Sequence, residues 1–266
     1  MPEGDTIHKL AAALRPALCG RRVERVRLAR GNGSLLCGQT VAGVRSHGKQ
    51  LYIDFESGFT LRSHLGLYGS WHRYPVGAHW RKPARQAAIV LEVGDQVFVC
   101  FNPRQVVTER TGSLGARDGQ HRLGPDLAQP EFDPAVCLQR ARALCPPPTL
   151  AVDLLLDQRV AAGIGNVYKS ELLFLRRIAP TATLGALGDE QIRSLYTLAG
   201  QLIRRNLGGG RRVTRFAADG RGGLWVYGRR GQPCLQCGTA ILAARLGRGL
   251  RSTYWCPHCQ SPAPGG

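Results

Sequence analysis

The 266-residue sequence is 43% hydrophobic, which predicts a globular protein with one large core or two modest ones and excludes a disordered chain. Its 36 lysines and arginines against 18 aspartates and glutamates give a formal net charge of +18, which favours a polyanionic partner, with nucleic acid ahead of a membrane surface. No apolar run of membrane-spanning length and no apolar signal core occur, so we expect neither membrane insertion nor secretion.

The first predicted element is a helix over about residues 5–18. Its apolar side chains recur at helical spacing and form one stripe: Ile7, Leu10, Ala11 and Leu14. Pro2 and Glu3 precede this helix, and both suit a helix N-terminus, because proline loses no hydrogen bond there and a carboxylate complements the helix dipole. Helix chemistry alone therefore explains the two residues at this point, and a functional role is the alternative.

Between residues 21 and 110 the pattern is mainly that of short strands. The stretches "RRVERVRLA", "QLYIDF", "FTLRSHL", "AAIVLEV" and "QVFVCF" alternate or run apolar, and glycine-bearing turns separate them. This pattern predicts a β-sandwich or flattened barrel after the helix. The three prolines of "CPPPTL", residues 145–150, can continue neither a helix nor a central strand, so we place a boundary there.

Beyond the prolines the apolar spacing becomes helical. "VDLLLDQRVA" and "VYKSELLFLRR" are joined by a glycine-rich turn at residues 163–166, in which Asn166 is predicted to cap the second helix. Such a turn aims backbone N–H groups outward and suits an anion, whereas a plain αα-hairpin explains the same residues equally well. Asp189 is the predicted N-cap of a third helix that ends before Gly208, and residues 208–223 are predicted to form a flexible loop.

Four cysteines near the end of the chain have the spacing of a zinc ribbon. They form two C-x2-C pairs separated by 18 residues: Cys234, Cys237, Cys256 and Cys259. Two such pairs complete a tetrahedron of thiolates and leave no open position, so the pattern predicts a structural zinc ion; a redox dithiol pair is the alternative. The segment between the pairs is predicted to be a β-hairpin whose arginines, including Arg251, contact phosphates rather than form a solvated basic loop.

Several of these stretches occur together in a specific order: "PEG", "GKQLYIDF", "SHLGLYGSW", "LGPDL", "LLLDQRVAAGIGNVYKSELLF" and "RSTYWCPHCQ". In this order and over nearly the whole length, the chain closely resembles the formamidopyrimidine-DNA glycosylase/endonuclease VIII family of bacterial DNA repair enzymes. The resemblance implies a multidomain α+β fold. Its parts are an N-terminal helix plus β-sandwich (the catalytic domain, residues 1–130), a helical helix–two-turns–helix DNA-binding domain (131–224) and a C-terminal zinc β-hairpin (225–266).

The resemblance also implies a role for the first residues. In that family the initiator methionine is removed and the exposed proline, here Pro2, becomes the nucleophile that forms a Schiff base with the sugar. An α-amino group suits this role because its pKa, about 7.7 to 8.0, leaves roughly a tenth of it neutral at pH 7, far more than for a lysine. Glu3 matches the glutamate that protonates the sugar ring oxygen, and Lys49 matches the lysine that reaches the phosphate or base site.

Further residues match positions that hold the DNA. Asn166 and Arg251 match residues that clamp the phosphates beside the lesion. Leu67 and Tyr68 are candidates for the wedge that fills the gap left by the extruded nucleotide, with core packing as the alternative, and Arg104 is a candidate for facing the orphaned base. The chain departs from the family in three places: Gly66 replaces the glutamine of a Gln-Leu-Tyr turn, Val106 replaces a wedge phenylalanine, and Thr6 replaces a second carboxylate.

We therefore expect a monomeric bifunctional DNA glycosylase and AP lyase of base excision repair, located in the bacterial cytoplasm with the nucleoid. It is expected to act on damaged DNA by β,δ-elimination, with oxidised pyrimidines favoured, because the segment from Gly208 to Trp225 is short and "PEGDTIH" and "LGLYG" favour the endonuclease VIII branch. Both double-stranded and single-stranded DNA are expected substrates. The alternative is a non-catalytic zinc-containing protein that binds DNA damage, although such a protein would be expected to lose Pro2 or Glu3.

Overall fold

A computed structural model describes residues 1–111 and 123–261 of the chain. The chain divides into two compact units, Met1–Gln120 and His121–Gly266. No helix within the described ranges is long and apolar enough to cross a membrane.

The first unit is a helix followed by two antiparallel four-stranded sheets. The helix α1 is Gly4–Leu18, and the strands are β1 (Arg25–Leu28), β2 (Val41–His47), β3 (Gln50–Phe55), β4 (Phe59–His64), β5 (Ser70–Pro75), β6 (Ala87–Val93), β7 (Gln96–Phe101) and β8 (Gln105–Arg110). One sheet has the strand order β2-β3-β4-β8 and the other β1-β6-β7-β5. The predicted helix and β-sandwich are confirmed.

The core of this unit lies where α1 and the inner faces of both sheets meet. Ile7, Ala11 and Leu14 of the predicted stripe are buried in it, and Leu10 is partly buried against it. Residues of one parity along each strand point into this core, as the twofold alternation of strands requires; examples are Leu61 in β4 and Leu91 in β6. A continuous apolar core therefore joins the helix to the sandwich.

A second, smaller cluster covers the outer face of the sheet β1-β6-β7-β5. Val99 and Phe101 of β7 alternate with core residues of the same strand and point to this other face. The connection between β5 and β6 folds over them and contributes Ala78 and Trp80. The ring of Trp80 meets that of Phe101 edge-on, with 5.8 Å between their centroids. This connection is thus anchored by an aromatic side chain.

The second unit holds four α-helices and a two-stranded hairpin. The elements are α2 (Pro134–Leu144), α3 (Ala151–Leu156), α4 (Asn166–Leu175), α5 (Asp189–Arg205), β9 (Leu242–Leu246) and β10 (Arg251–Trp255). The predicted helical domain and the hairpin between the cysteine pairs are confirmed. The boundary expected at residues 145–150 is wrong, because α2 and α5 share one core on either side of the prolines, through Ala141 and Leu195 among others.

Both N-caps predicted in this unit are displaced by one residue. Gly165, not Asn166, is the N-cap of α4, and it has an extended backbone and no side-chain cap. Gly188, not Asp189, precedes α5, and its N–H is held by the side chain of Gln191 at 2.9 Å. Glycine can serve as an N-cap because it readily takes the extended backbone conformation of that position.

Candidate active site and nucleic-acid interface

The strand register of the first unit gathers most of the predicted site residues at one edge of the β-sandwich. Four residues pair in a row across the sheet: His47, Gln50, His64 and Gln105. Lys49 lies in the two-residue turn just beyond this row, Arg104 immediately precedes Gln105, and residues 65–69 immediately follow His64. The sheet therefore brings Lys49, Arg104 and the Leu67–Tyr68 loop to the same edge.

The direction of α1 brings the N-terminus to this edge as well. Near its C-terminal end, Arg15 donates from Nε to the carbonyl of Val44 at 3.1 Å, and Gly20 N–H donates to the carbonyl of Val41 at 2.9 Å. From Arg15 back to Glu3 the helix rises about 18 Å, and β2 with its turn rises about 17 Å from Val44 to Lys49. The two lengths match, so the antiparallel run of α1 against β2 directs the N-terminus towards the edge that carries Lys49.

Glu3 begins α1 through its backbone carbonyl and not through a side-chain cap. It is buried, and its backbone carbonyl accepts from Thr6 N at 3.0 Å and Ile7 N at 3.1 Å, which starts the helix. Its side chain makes no capping hydrogen bond. A buried carboxylate is costly to keep, so capping chemistry does not explain why glutamate stands next to the half-buried Pro2.

Thr6 stands where the family has a second carboxylate, and the neighbouring Asp5 does not take over that place. Asp5 is buried, but it lies 3.9 Å from the ammonium of Lys9 one turn along the helix. Thr6 also donates its hydroxyl to Asp5, at 3.4 Å. Asp5 is thus engaged by Lys9 and Thr6 of its own helix.

His64 is a residue of this edge that the sequence analysis missed. Burial, together with the positive charges of Lys49, Arg104 and Arg62, lowers the pKa of His64 to about 4. The imidazole is therefore neutral at neutral pH, and its environment shows that Lys49 and Arg104 lie close enough to act on it. Its position directly before the "LGLYG" loop was the available signal.

Gly66 and Arg104 explain the local backbone of the predicted wedge loop. Gly66 has a φ of +64°, and a Cβ at this position would lie 2.9 Å from the Cβ of Arg104. Arg104 is fixed in turn, because its N–H donates to the carbonyl of His64 at 2.8 Å. A glutamine at position 66 would meet both obstacles, which gives a physical reason for the departure from a Gln-Leu-Tyr turn.

Leu67 and Tyr68 protrude from this loop. Their exposed fractions are 47% and 79%, so core packing does not account for them. Val106, in contrast, is partly buried against the core between the sheets. Of the apolar candidates at this edge, Leu67 and Tyr68 are the ones that another molecule can reach.

In the second unit, α4 and β10 bring Asn166 and Arg251 to neighbouring elements. Asn166 is the first residue of α4, and Arg251 is the first residue of β10. Lys169 is fully buried, and its ammonium donates to the carbonyl of Ser252 at 3.0 Å and to the hydroxyl of Thr253 at 2.8 Å. The strand that begins with Arg251 is thereby held against the first turn of the helix that begins with Asn166.

Two buried or partly buried carboxylates hold the segment before the first cysteine pair and the tip of the hairpin. Glu171 in α4 accepts from the backbone N–H groups of three consecutive residues at 2.8, 2.9 and 2.8 Å: Trp225, Val226 and Tyr227. Asp153 in α3 accepts from Arg248 N at the hairpin tip at 3.0 and 3.1 Å. Sequence reasoning missed these roles, since charged residues on a helix are normally assigned to its solvent face.

The four predicted metal ligands form one cluster. The Sγ atoms of Cys234, Cys237, Cys256 and Cys259 all lie within 4.8 Å of one another. The closest approaches join one pair to the other, at 4.0 Å between Cys234 and Cys259 and 3.4 Å between Cys237 and Cys256. A tetrahedron of thiolates about 2.3 Å from one ion has edges of about 3.8 Å, so the cluster fits a metal ion better than two separate dithiols.

Models of three protein families match successive stretches of the chain. The model of the formamidopyrimidine-DNA glycosylase N-terminal domain matches residues 1–108, that of the formamidopyrimidine-DNA glycosylase H2TH domain matches residues 123–217, and that of a zinc finger found in FPG and IleRS matches residues 231–262.

Relatives match over almost the whole length. "Probable endonuclease 8 2" of Streptomyces coelicolor is 41% identical and the alignment covers 100% of this chain and 97% of that protein. A DNA-(apurinic or apyrimidinic site) lyase of Mycolicibacterium smegmatis is 39% identical over 98% and 99% of the two chains. The formamidopyrimidine-DNA glycosylase of Lactococcus lactis, solved bound to DNA containing an AP site, has the same fold, with a TM-score of 0.82, 22% identity and coverage of 98% and 100%.

Proposed function

The chain belongs to the formamidopyrimidine-DNA glycosylase/endonuclease VIII family, in its endonuclease VIII-like branch, and we propose that it removes oxidised bases, pyrimidines foremost, through a Schiff base on Pro2. The family consists of DNA glycosylases that are also lyases of apurinic or apyrimidinic sites. The proposal is supported by the strand register, which brings Lys49 and Arg104 to one edge of the sandwich, and by the antiparallel run of α1 against β2, which directs Pro2 and the buried Glu3 towards that edge.

The proposed chemistry begins when methionine removal frees the secondary amine of Pro2. The neutral amine attacks the sugar C1′, the bond to the damaged base breaks, and Glu3 protonates the ring oxygen so that the sugar opens. The resulting iminium ion acidifies the C2′ proton and lets the 3′ phosphate leave by β-elimination. A δ-elimination then breaks the C5′–O bond and releases the 5′ phosphate, and water hydrolyses the iminium ion, which frees the sugar remnant and restores the amine of Pro2. Lys49 contacts the phosphate or the base while these steps occur.

The proposed binding of damaged DNA uses both units. Asn166 and Arg251 hold phosphates beside the lesion, and the nucleotide is rotated out of the stack to reach Pro2. The exposed Leu67 and Tyr68 fill the gap that it leaves, and Arg104 faces the orphaned base. We propose that duplex and single-stranded DNA are both substrates, and that the protein works as a monomer in the cytoplasm with the nucleoid.

The metal that the four cysteines hold is proposed to be zinc. Four thiolates fill a tetrahedral zinc site and leave no position for water or substrate, so the ion has a structural role. It would close the base of the hairpin whose tip is held by Asp153 and whose second strand begins with Arg251. The chain's own residues then supply all the proton transfers of the reaction.

Borohydride trapping tests the proposal. The protein is incubated with a duplex that carries one oxidised pyrimidine and with borohydride, and the adduct is mapped by mass spectrometry. We expect a covalent link at Pro2, because reduction of the iminium ion makes it permanent. The alternative, a non-catalytic damage-binding protein, gives a complex but no adduct. A link at an interior side chain, or equal trapping by Pro2→Gly, would contradict the proposed nucleophile.

A matched variant separates the two chemical steps. Glu3→Gln is expected to lose base removal and to keep trapping on DNA in which an abasic site is already present, because an abasic sugar is a hemiacetal that opens spontaneously to the aldehyde with which the amine reacts. Loss of both reactions would place Glu3 in the lyase step as well. A duplex with an oxidised purine, assayed in parallel, tests the pyrimidine preference, and faster release of the purine would overturn it.

A further inference from the structure

A row of hydrogen-bonded polar side chains lies on the outer face of the sheet β1-β6-β7-β5. Lys82 donates from Nζ to the hydroxyl of Ser70 at 2.8 Å, and Ser70 Oγ lies 2.9 Å from Nε2 of His72. The other ring nitrogen of His72 lies 3.2 Å from the hydroxyl of Tyr74, which accepts from Arg81 N at 3.2 Å. Each polar group is thus positioned by the next.

This row of polar side chains ends at the edge of the sandwich that carries the candidate active site. Ser70 directly follows the loop that contains Leu67 and Tyr68. It pairs with Phe101 at the end of β7, and two residues separate Phe101 from Arg104. Because the β4–β5 and β7–β8 connections both cross between the sheets here, Arg104 and Ser70, to which Lys82 donates, lie along the same edge of the sandwich.

The positive charge at this place is not neutralised by the protein. Among the described residues, no carboxylate forms an ion pair with Arg81, Lys82 or Arg85. The nearby His72 adds no negative charge, and burial together with the charges of Lys82 and Arg81 lowers its pKa, which keeps it neutral. An anion from outside is therefore the missing partner for this group of cations.

Lys82 retains donors for such an anion. An ammonium has three N–H donors, and the hydrogen bond to Ser70 uses one of them. Residues 78–84, among them Trp80 and Lys82, line an open cavity of about 570 Å³. The ring of Phe101 lies 5.9 Å from the ammonium, and Trp80 anchors the connection on the sheet. The lysine is thus held half-buried, with its remaining donors available at a concave surface.

We propose that Lys82, positioned by Ser70 and His72, binds a phosphodiester of the DNA backbone outside the nucleotide under repair. The inference rests on the proposed function, since it takes DNA as the ligand. It adds a contact on the β5–β6 connection to those predicted for Lys49, Asn166 and Arg251. A purely structural role, in which Lys82 only fastens this connection to β5, is the competing explanation.

Salt dependence of binding separates the two explanations. Binding of the full-length protein to a duplex with a stable abasic-site analogue is measured by fluorescence anisotropy at several salt concentrations. Lys82→Gln is expected to weaken binding about 3- to 10-fold near 0.1 M salt and to reduce the slope of log K against log salt by about 0.9, the value for one phosphate. Lys82→Arg should restore the slope, and Ser70→Ala, which keeps the cation but frees it, should fall between.

The control is Arg73→Gln on the same strand. Arg73 is exposed and donates to the side chain of Gln96, and its guanidinium lies over Phe98 of the inner core, on the other face of the sheet. Its loss is expected to leave the slope within about 0.2 of the parent value. A Lys82→Gln variant with the parent slope would overturn the proposal, and so would a change equal to that of Arg73→Gln, which would mean only a lower net charge.

The salt slopes decide the phosphate contact of Lys82 whether or not the proposed glycosylase chemistry is correct. Lys82→Gln is expected to need about 3- to 10-fold more protein than the parent for half-maximal borohydride adduct, because weaker binding lowers the occupancy of the DNA while the chemistry at the sugar does not involve Lys82. If the parent itself gives no adduct, the proposed function fails, while the salt slopes still decide the phosphate contact. If the parent and variant trap equally and the slopes are equal, only the phosphate contact fails. A lowered melting temperature of Lys82→Gln with an unchanged slope would favour the structural role.

Discussion

Replacement of Gly66 by alanine tests how the candidate active-site edge is built. Gly66 has a φ of +64°, where an L-residue with a side chain is strained, and its added Cβ would lie 2.9 Å from the Cβ of Arg104. Real Cβ atoms are rarely this close, and the contacted atom belongs to the rigid base of the arginine. Either Arg104 or the loop must therefore move.

The cost has two parts. The left-handed backbone conformation costs alanine about 1 kcal/mol relative to glycine. Forcing a methyl group into an occupied space typically costs about 1–3 kcal/mol more. Gly66→Ala is thus expected to destabilise the first unit by about 2–4 kcal/mol. The same displacement should move Arg104 away from its place beside His64.

Gly58→Ala is the matched control. Gly58 lies in the turn between β3 and β4 with a φ of +76°, and no atom lies within 4 Å of its added Cβ. It carries the backbone cost of about 1 kcal/mol without the contact. Hydrogen exchange of the backbone amides in β3 and β4 reports the opening free energy of this unit, and the difference between the two variants isolates the contact with Arg104.

Equal losses in the two variants would refute the reasoning. That result would mean that the backbone conformation alone requires glycine at position 66. Arg104→Gly in the Gly66→Ala background provides a second check, because it removes the contacted Cβ. It should recover about 1 kcal/mol or more if the contact is real, and no recovery would point to strain elsewhere in the loop.

Four further predictions follow from the site geometry. Glu171→Gln keeps the shape but places an amide group against backbone donors, so metal release and urea unfolding of the second unit should reveal a loss of about 2–4 kcal/mol. Because the pKa of His64 is lowered in the folded protein, the unfolded chain takes up a proton at this residue at a higher pH than the folded protein does. The free energy of unfolding should therefore fall as the pH drops from about 6.5 towards 4, by about 2 kcal/mol at pH 5. Unfolding of His64→Gln, measured at pH 7 and pH 5, should lack this loss. Cys237→Ser should abolish stoichiometric metal content measured by atomic absorption, whereas Cys37→Ser, also exposed but outside the cluster, should keep it. Arg251→Gln should weaken binding on all DNA sequences alike and lower the salt slope by about 0.9.

Each of these has an outcome that contradicts it. Unchanged stability of Glu171→Gln would mean that the backbone donors find other acceptors. Parallel pH profiles of the parent and His64→Gln would place the titrating group elsewhere. Full metal content in Cys237→Ser would require a ligand outside the four cysteines, and a parent-like salt slope for Arg251→Gln would remove its phosphate assignment.

Local pattern predicted the elements of this protein well. The helix stripe of Ile7 and Leu14, the strand periods and the two C-x2-C pairs depend on spacing along the chain, and spacing is what a sequence records. The motif order also indicated the family. The N-caps at Asn166 and Asp189 were each wrong by one residue, because a glycine can take the extended cap conformation that polar residues usually occupy.

The sequence by itself determined the metal ligands, the order of domains and the presence of Pro2 and Glu3 at the start of a helix. Only the tertiary structure decided which of these residues meet. The strand register brings Lys49, His64 and Arg104 to one edge, and the antiparallel run of α1 against β2 brings the N-terminus there too. Likewise Lys169 and Glu171 look like solvent-facing charges until the hairpin and the segment before it cover them. Their partners lie more than 40 residues away, and such pairings depend on chain packing that no local pattern encodes.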